Sequence, residues 1–128
     1  MPAVTICKTF DFDAAHQLPN VPDGHKCKRL HGHTYYVDVV LHGIPDERGF
    51  VVDYAEIAEA WKAVNDLLDH RFLNEVPGLE NPTTEVLAPF IFNLLIEALP
   101  LMVRIRVYES KDTYCEVTKD EVVWEKYR

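Results

Sequence analysis

Apolar and polar positions along the chain mark out seven stretches. Residues 4–12 are rich in β-branched and aromatic side chains and read as a strand. Residues 34–41, TYYVDVVL, form the strongest strand signal in the chain. The turn-rich GIPDERG at 43–49 follows, and residues 50–53 can add a short strand. Asp53 then has the look of a helix N-cap, with Glu56 three residues on as a capping box. Ile57, Ala60, Trp61, Val64, Leu67 and Leu68 recur at helical spacing. LDHRFLNEVPGLENP at 68–82 reads as a loop, after which Thr83 or Thr84 caps a second helix. Leu87, Phe90, Ile91, Leu94, Leu95, Ala98 and Leu99 give that helix its apolar face. Pro89 either kinks it or sits in its first turn with the helix starting late. Residues 102–109 alternate arginine with apolar residues and form a third strong strand, while 115–119 and 122–127 supply a last strand or hairpin arm.

The predicted order is β-β-α-α-β-β. Consecutive strands with short connections favour an antiparallel sheet with two helices on one face, a single α+β domain over residues 1–128. In the second strand Tyr35, Val37, Val39 and Leu41 point one way, and Tyr36 and Val40 point the other way beside Asp38 and His42. Apolar side chains on both faces suggest an oligomer that buries the second face, against the alternative of scattered surface hydrophobes.

Composition narrows the functional classes. No segment reaches the roughly 18 apolar residues of a membrane helix, and the N-terminus lacks the basic and apolar regions of a signal peptide. The three cysteines, at 7, 27 and 115, are too few and odd in number for a disulfide framework, which predicts a reducing, cytoplasmic setting. A formal net charge of −8 makes nucleic acid a poor partner. The small basic island of Lys26, Lys28 and Arg29 around Cys27 suits either a small anionic ligand or a solvated loop.

The segment CKRLHGH at 27–33 carries the candidate chemistry. On an extended strand His31 and His33 point to one face, and antiparallel pairing of the first two strands brings His16 to the same place. Three imidazoles with an open fourth position describe a catalytic zinc site. The same spacing also fits a half-buried histidine pair on a strand. Cys27 either completes a closed Cys-His₃ shell or stands off the ion, where its cationic neighbours favour the thiolate nucleophile. His25 is a spare ligand candidate that reads better as solvated loop. Position alone equally allows Asp69–His70 to be a polar helix end and Glu109 an exposed strand-end charge.

His16, then Cys27-x-x-x-His31-Gly32-His33, then LDH at 68–70, NPTTE at 81–85 and YES at 108–110 resemble, in this order, the 6-pyruvoyltetrahydropterin synthase superfamily. The likeness runs from FDFDAAH at 10–16 onward, and the short interval between Cys27 and the H-G-H is similar to its carboxytetrahydropterin branch. The resemblance implies the tunnelling fold, with three subunits joining their sheets into a barrel and two trimers stacking into a homohexamer. It implies zinc on His16, His31 and His33, and conversion of 7,8-dihydroneopterin triphosphate to 6-carboxy-5,6,7,8-tetrahydropterin, acetaldehyde and triphosphate in queuosine biosynthesis. Cys27 would be the general base. His70, oriented by Asp69 and linked to Glu109, would relay protons. Glu109 would bind the pterin's amino-pyrimidine edge, and Thr83 and Thr84 would present hydroxyls or backbone to the pterin. From charge alone, the island at 26, 28 and 29 would receive the triphosphate. Two other readings stay open: pyruvoyltetrahydropterin synthesis, without acetaldehyde release, and a non-catalytic zinc- or pterin-binding module. Thr84 replaces a common serine, and the EVVWEKYR ending also departs from the family.

Overall fold

The computed structural model describes residues 1–126. Two long strands, β1 (Val4–His16) and β2 (His31–Gly43), pair antiparallel along their whole length. Both run further than their apolar cores predict, because the histidine-bearing ends continue the ladder. Helix α1 (Tyr54–Leu68) follows, then a two-residue strand β3 (Arg71–Phe72), helix α2 (Thr84–Leu95), strands β4 (Met102–Ser110) and β5 (Thr113–Thr118), and helix α3 (Lys119–Lys126). The sheet order is β3-β1-β2-β4-β5. All pairings are antiparallel except that of β3, which runs parallel to β1 at Ala14 and Ala15.

The α+β class holds, with four differences in detail. The segment read as a loop at 68–82 contains β3, a pair too short to leave an alternation signal. Residues 50–53 form no strand; they lead into the cap of α1, where Asp53 Oδ1 accepts from Ala55 N at 2.9 Å. Pro89 lies inside α2, past its first turn, so the bond its missing N–H would give to Glu85 is absent. The helix starts early because Thr83 caps it, accepting from Val86 N at 3.3 Å. The last arm, predicted as strand over 122–127, is instead helix α3, with Tyr127 outside the described residues. Thr118 donates to Glu121 at 2.7 Å, and Asp120 and Glu121 place negative charge in the first turn, where the helix dipole favours it.

Period-two alternation turns Phe12, Ala14, Tyr35, Val37, Val39, Leu41, Ile105 and Val107 onto one sheet face. Ile57, Trp61, Val64 and Leu68 of α1 and Leu87, Ile91 and Leu95 of α2 pack on it in a single core. The Trp61 ring stacks on Phe10 at 4.5 Å between centroids and ties α1 to β1.

The opposite face is mainly polar. Asp38 accepts from Thr9 at 2.7 Å and Tyr108 at 3.1 Å, and Arg106 Nε donates to Glu116 at 2.7 Å. Val40 is buried there, but its cross-strand neighbours are Cys7 and Arg104 of the same chain. The apolar case for a covered second face rests on a cross-strand row of Tyr36, Tyr108 and Tyr114, in which Tyr36 is 45% and Tyr114 54% exposed.

Replacing Ile57, fully buried on the inner face of α1, with Ala is expected to cost about 2–5 kcal/mol. Removing the α1 cap with Asp53→Ala is expected to cost about 1 kcal/mol. Urea unfolding of the two variants should reproduce that order; equal losses would mean that α1 is held by its cap rather than by its buried face.

Candidate active site

The β1–β2 register places His16 directly opposite His31, with His33 two residues further along the same face. Ring centroids lie 4.5 Å apart for His16–His31, 5.0 Å for His16–His33 and 4.9 Å for His31–His33. Glu109 continues the inward-facing series Ile105, Val107 on β4, and its Oε1 comes 2.9 Å from His33 Nε2. These four side chains hold their ligand atoms within 4.8 Å of one another. His16 is fully buried; the other three are partly exposed.

The proton positions on two of the rings follow from their partners. His16 Nδ1 lies 3.0 Å from Pro82 O, and His31 Nδ1 lies 2.7 Å from Arg29 O. A carbonyl oxygen only accepts, so both Nδ1 atoms carry hydrogen and both neutral Nε2 atoms present lone pairs. Those Nε2 atoms face each other at 2.9 Å. Two lone pairs at that distance repel, and a metal ion between them would remove the repulsion. Burial pushes the His16 and His33 pKa values down, so protonation is disfavoured at both. His33 Nε2, although close to Glu109, has no aligned hydrogen-bond partner. This donor set fits a divalent ion of borderline softness.

Tyr35, also buried, closes the inner wall with its hydroxyl 3.2 Å from His16 Nδ1. Burial, followed by the Glu109 charge, raises its pKa and keeps it a neutral phenol.

Cys27 sits on a single 3-10 turn, Lys26–Lys28, that hangs over the histidines. Leu18 N donates to its carbonyl at 2.9 Å, and its own N–H donates to His25 Nδ1 at 3.0 Å. His25 thus caps this turn instead of joining the imidazole cluster. Cys27 stands outside the group of mutually close donors, yet it lines a cleft of about 350 Å³ with Lys26, His31, His33 and Glu109. The basic island is split: Lys28 pairs with Asp23 at 2.6 Å, whereas Lys26 faces the cleft.

A second cleft, of about 580 Å³, opens on the other side of His33 and is lined by Asp13, Gly32, His33, His70 and Phe72, among others. His70 follows the α1 C-cap Asp69 with φ 57°, the left-handed region. That conformation costs a non-glycine residue about 1–3 kcal/mol and must be held by its surroundings. The hold is visible: His70 N donates to Asp13 O at 2.6 Å, and Asp69 Oδ1 accepts from Asp13 N at 3.0 Å. Asp69 Oδ2 lies 2.8 Å from His70 Nδ1, and its hydrogen bond and charge raise the His70 pKa.

The predicted site residues are thus brought to two adjoining clefts, with exceptions. His70 pairs with Asp69, and Glu109 with His33, so the predicted His70–Glu109 link is not made within this chain. Thr83 is occupied as the α2 cap, and Thr84 donates to Glu85 at 2.9 Å; neither lines these clefts. The sequence reading missed Tyr35, Asp13 and the carbonyls of Pro82 and Arg29. Tyr35 and Asp13 were accessible from register, since each lies beside a histidine on a predicted strand. Backbone carbonyls leave no sequence signal.

The family profile described as 6-pyruvoyl tetrahydropterin synthase matches residues 5–120. A 6-carboxy-5,6,7,8-tetrahydropterin synthase of Synechocystis is 41% identical, over 82% of this chain and 85% of its own. A dihydroneopterin monophosphate aldolase of Pyrococcus furiosus is 35% identical, over 74% of this chain and 77% of its own. The solved structure of Caenorhabditis elegans 6-pyruvoyl tetrahydropterin synthase superposes with a TM-score of 0.84 at 27% identity, covering 92% of this chain and 96% of that one. With fold, motif order and histidine geometry in agreement, the chain belongs to the 6-pyruvoyl tetrahydropterin synthase family.

Proposed function

We propose that the chain is a zinc-dependent lyase that converts 7,8-dihydroneopterin triphosphate and one water to 6-carboxy-5,6,7,8-tetrahydropterin, acetaldehyde and triphosphate, a step of queuosine biosynthesis. The observation that carries this reading is the convergence of His16, His31 and His33 beside, but not including, Cys27. A closed Cys-His₃ site would leave no free thiol in the cleft. The 41% identity to a carboxytetrahydropterin synthase favours this branch of the family over pyruvoyl synthesis.

His16, His31 and His33 would hold zinc through their Nε2 atoms, with His16 and His31 fixed by the carbonyls behind them. Bound there, zinc supplies Lewis acidity toward the oxygens of the substrate's side chain. Cys27 Sγ takes the proton from the side-chain carbon next to the pterin ring, within a cleft it shares with two of the ligands. His70, held by Asp69 and protonated more readily than an ordinary imidazole, returns a proton from the opposite cleft. Glu109, in the Cys27 cleft, accepts from the amino-pyrimidine edge of the pterin through two parallel bonds. Lys26 at the rim meets the phosphates. Thr83 and Thr84 have at most a backbone role toward the pterin. Beyond the short β3 pairing, β1 has an open edge, and so does β5; edges of this kind favour closure with further copies into a trimeric barrel and a hexamer.

The decisive experiment incubates zinc-loaded protein with dihydroneopterin triphosphate and follows acetaldehyde and pterin products together. Wild type should release acetaldehyde with a carboxypterin. Cys27→Ala should lose about 10²- to 10⁴-fold in rate while keeping its zinc. Triphosphate release without acetaldehyde would transfer the assignment to pyruvoyl synthesis, and zinc loss in Cys27→Ala would indicate a closed structural site.

Metal analysis separates ligands from substrate contacts. His31→Ala and His33→Ala should each lose bound zinc. Glu109→Gln should retain it and raise KM; loss of zinc from Glu109→Gln would instead make the carboxylate a fourth ligand.

The stability of metal-free protein should depend on pH with a defined sign. His16 and His33 have folded pKa values below their unfolded ones, so the unfolded chain takes up protons first as the pH drops. Their contribution is fully present above about pH 6.5 and is lost as pH falls through the depressed values. His70 has the opposite sign but is exposed and screened. Thermal midpoints measured after chelation should fall from pH 7 to pH 5; a rise would contradict the buried neutral pair.

A further inference from the structure

His70 is flanked by two carboxylates, of which only Asp69 has been given a part in the reading above. Asp13 reaches the same imidazole by a different route. It lies on β1, three residues before His16, and its main chain makes both bonds that hold the left-handed corner: its carbonyl accepts from His70 N at 2.6 Å and its N–H donates to Asp69 Oδ1 at 3.0 Å. Its side chain is fixed separately, Oδ1 accepting from Thr34 Oγ1 across the β1–β2 ladder at 2.5 Å. A carboxylate oxygen of Asp13, one of Asp69 and a ring nitrogen of His70 all lie within 4.8 Å of one another. All three residues stand clear of the buried histidine cluster, and Asp13 and His70 line the same open cleft.

We propose that Asp13 is a positioning residue for His70, its main chain clamping the Asp69–His70 corner and its carboxylate, steered by Thr34, serving as the second acid beside the imidazole. The proposal rests on the lyase reading for its kinetic consequence but not for its structural one. Against this corner, from α1 come Asp69 and Asp66, from β1 Asp13, from β2 neutral Thr34 and the partly buried His33, and from β3 Arg71, whose guanidinium is turned to the Asp66 carbonyl at 3.2 Å. Only Asp69 and Asp13 act on His70 through charge, both in the direction that favours the imidazolium. A plain cross-strand Asp–Thr pair would account for the Thr34 bond alone. It would not account for a carboxylate oxygen within 4.8 Å of an exposed imidazole that its own backbone holds in place.

The test follows the His70 ring by NMR in histidine-labelled protein, the signal being identified by its absence in His70→Gln. Asp13→Asn keeps the backbone bonds and removes the charge. The His70 titration midpoint should fall, and Thr34→Val, which frees the carboxylate, should move it the same way by less. An unchanged midpoint in folded Asp13→Asn overturns the proposal; if that variant does not fold, an unchanged midpoint in Thr34→Val does. In turnover, Asp13→Asn should lower kcat with KM kept. In a His70→Ala background the same substitution should have no further effect, and an equal loss there would show that Asp13 does not act through His70. If wild type turns over no pterin while the midpoint still falls, the lyase reading fails and the Asp13–His70 coupling stands.

Discussion

The register of β1 against β2 is the constraint on which the site depends. With Phe12 opposite Tyr35 and Ala14 opposite His33, the apolar face of both strands is committed to the helices, and His16 falls opposite His31. A slip of one residue would turn Phe12, Tyr35, Val37 and Val39 away from α1 and α2 and expose the main part of the core. The core therefore sets the histidine geometry at no separate cost, since the ladder that buries Tyr35 also aligns the imidazoles. Phe10 and Phe12, packed with Trp61 and Tyr35, pin this register through contacts that have nothing to do with chemistry.

That division explains what could be read from the sequence. The strong strands and both long helices carry their periodicity over enough residues to be seen, and strand pairing alone then brings His16 to His31. The misreadings fall where a single local interaction decides. Strand β3 is two residues long and exists because β1 offers an edge there. Helix α3 begins because Thr118 and Glu121 meet, in a segment whose side-chain pattern resembles a hairpin arm. Glu109 could be assigned to a strand end, but its contact with His33 depends on the diagonal offset between β4 and β2, which alternation does not encode. The carbonyls of Pro82 and Arg29 are invisible in principle, because every residue carries one; only the path of the chain selects them.

The two clefts divide at His33, which belongs to the wall of both. On one side stand Cys27, Lys26 and Glu109; on the other, His70 with its two carboxylates. A ligand approaching the histidine cluster is therefore met by a thiol from a loop and an imidazole from a helix end, on separate elements with separate anchors. The loop is tied by Leu18 to the Cys27 carbonyl and by Gln17 to Asn74, so Cys27 is placed by anchors that do not involve the imidazoles of the cluster. Independent anchoring of this kind keeps the thiol and the imidazole from being drawn into a pair with each other.

The histidines show how one side chain is given opposite properties at different places on one chain. His16 and His33 lose water and gain no aligned acidic partner, so burial drives them toward the neutral form in which Nε2 can donate a lone pair. His70 keeps its water, takes a left-handed backbone that burial would make harder to satisfy, and is surrounded by carboxylates that favour the charged form. Exchange of the two environments would exchange these properties, because a protonated imidazole is not a ligand and a buried neutral one is a poor proton donor near neutral pH. The strain at His70 is thus tied to its exposure. The corner must project the ring into solvent beyond the end of α1, and the bonds to Asp13 let a β-strand rather than the core hold it there.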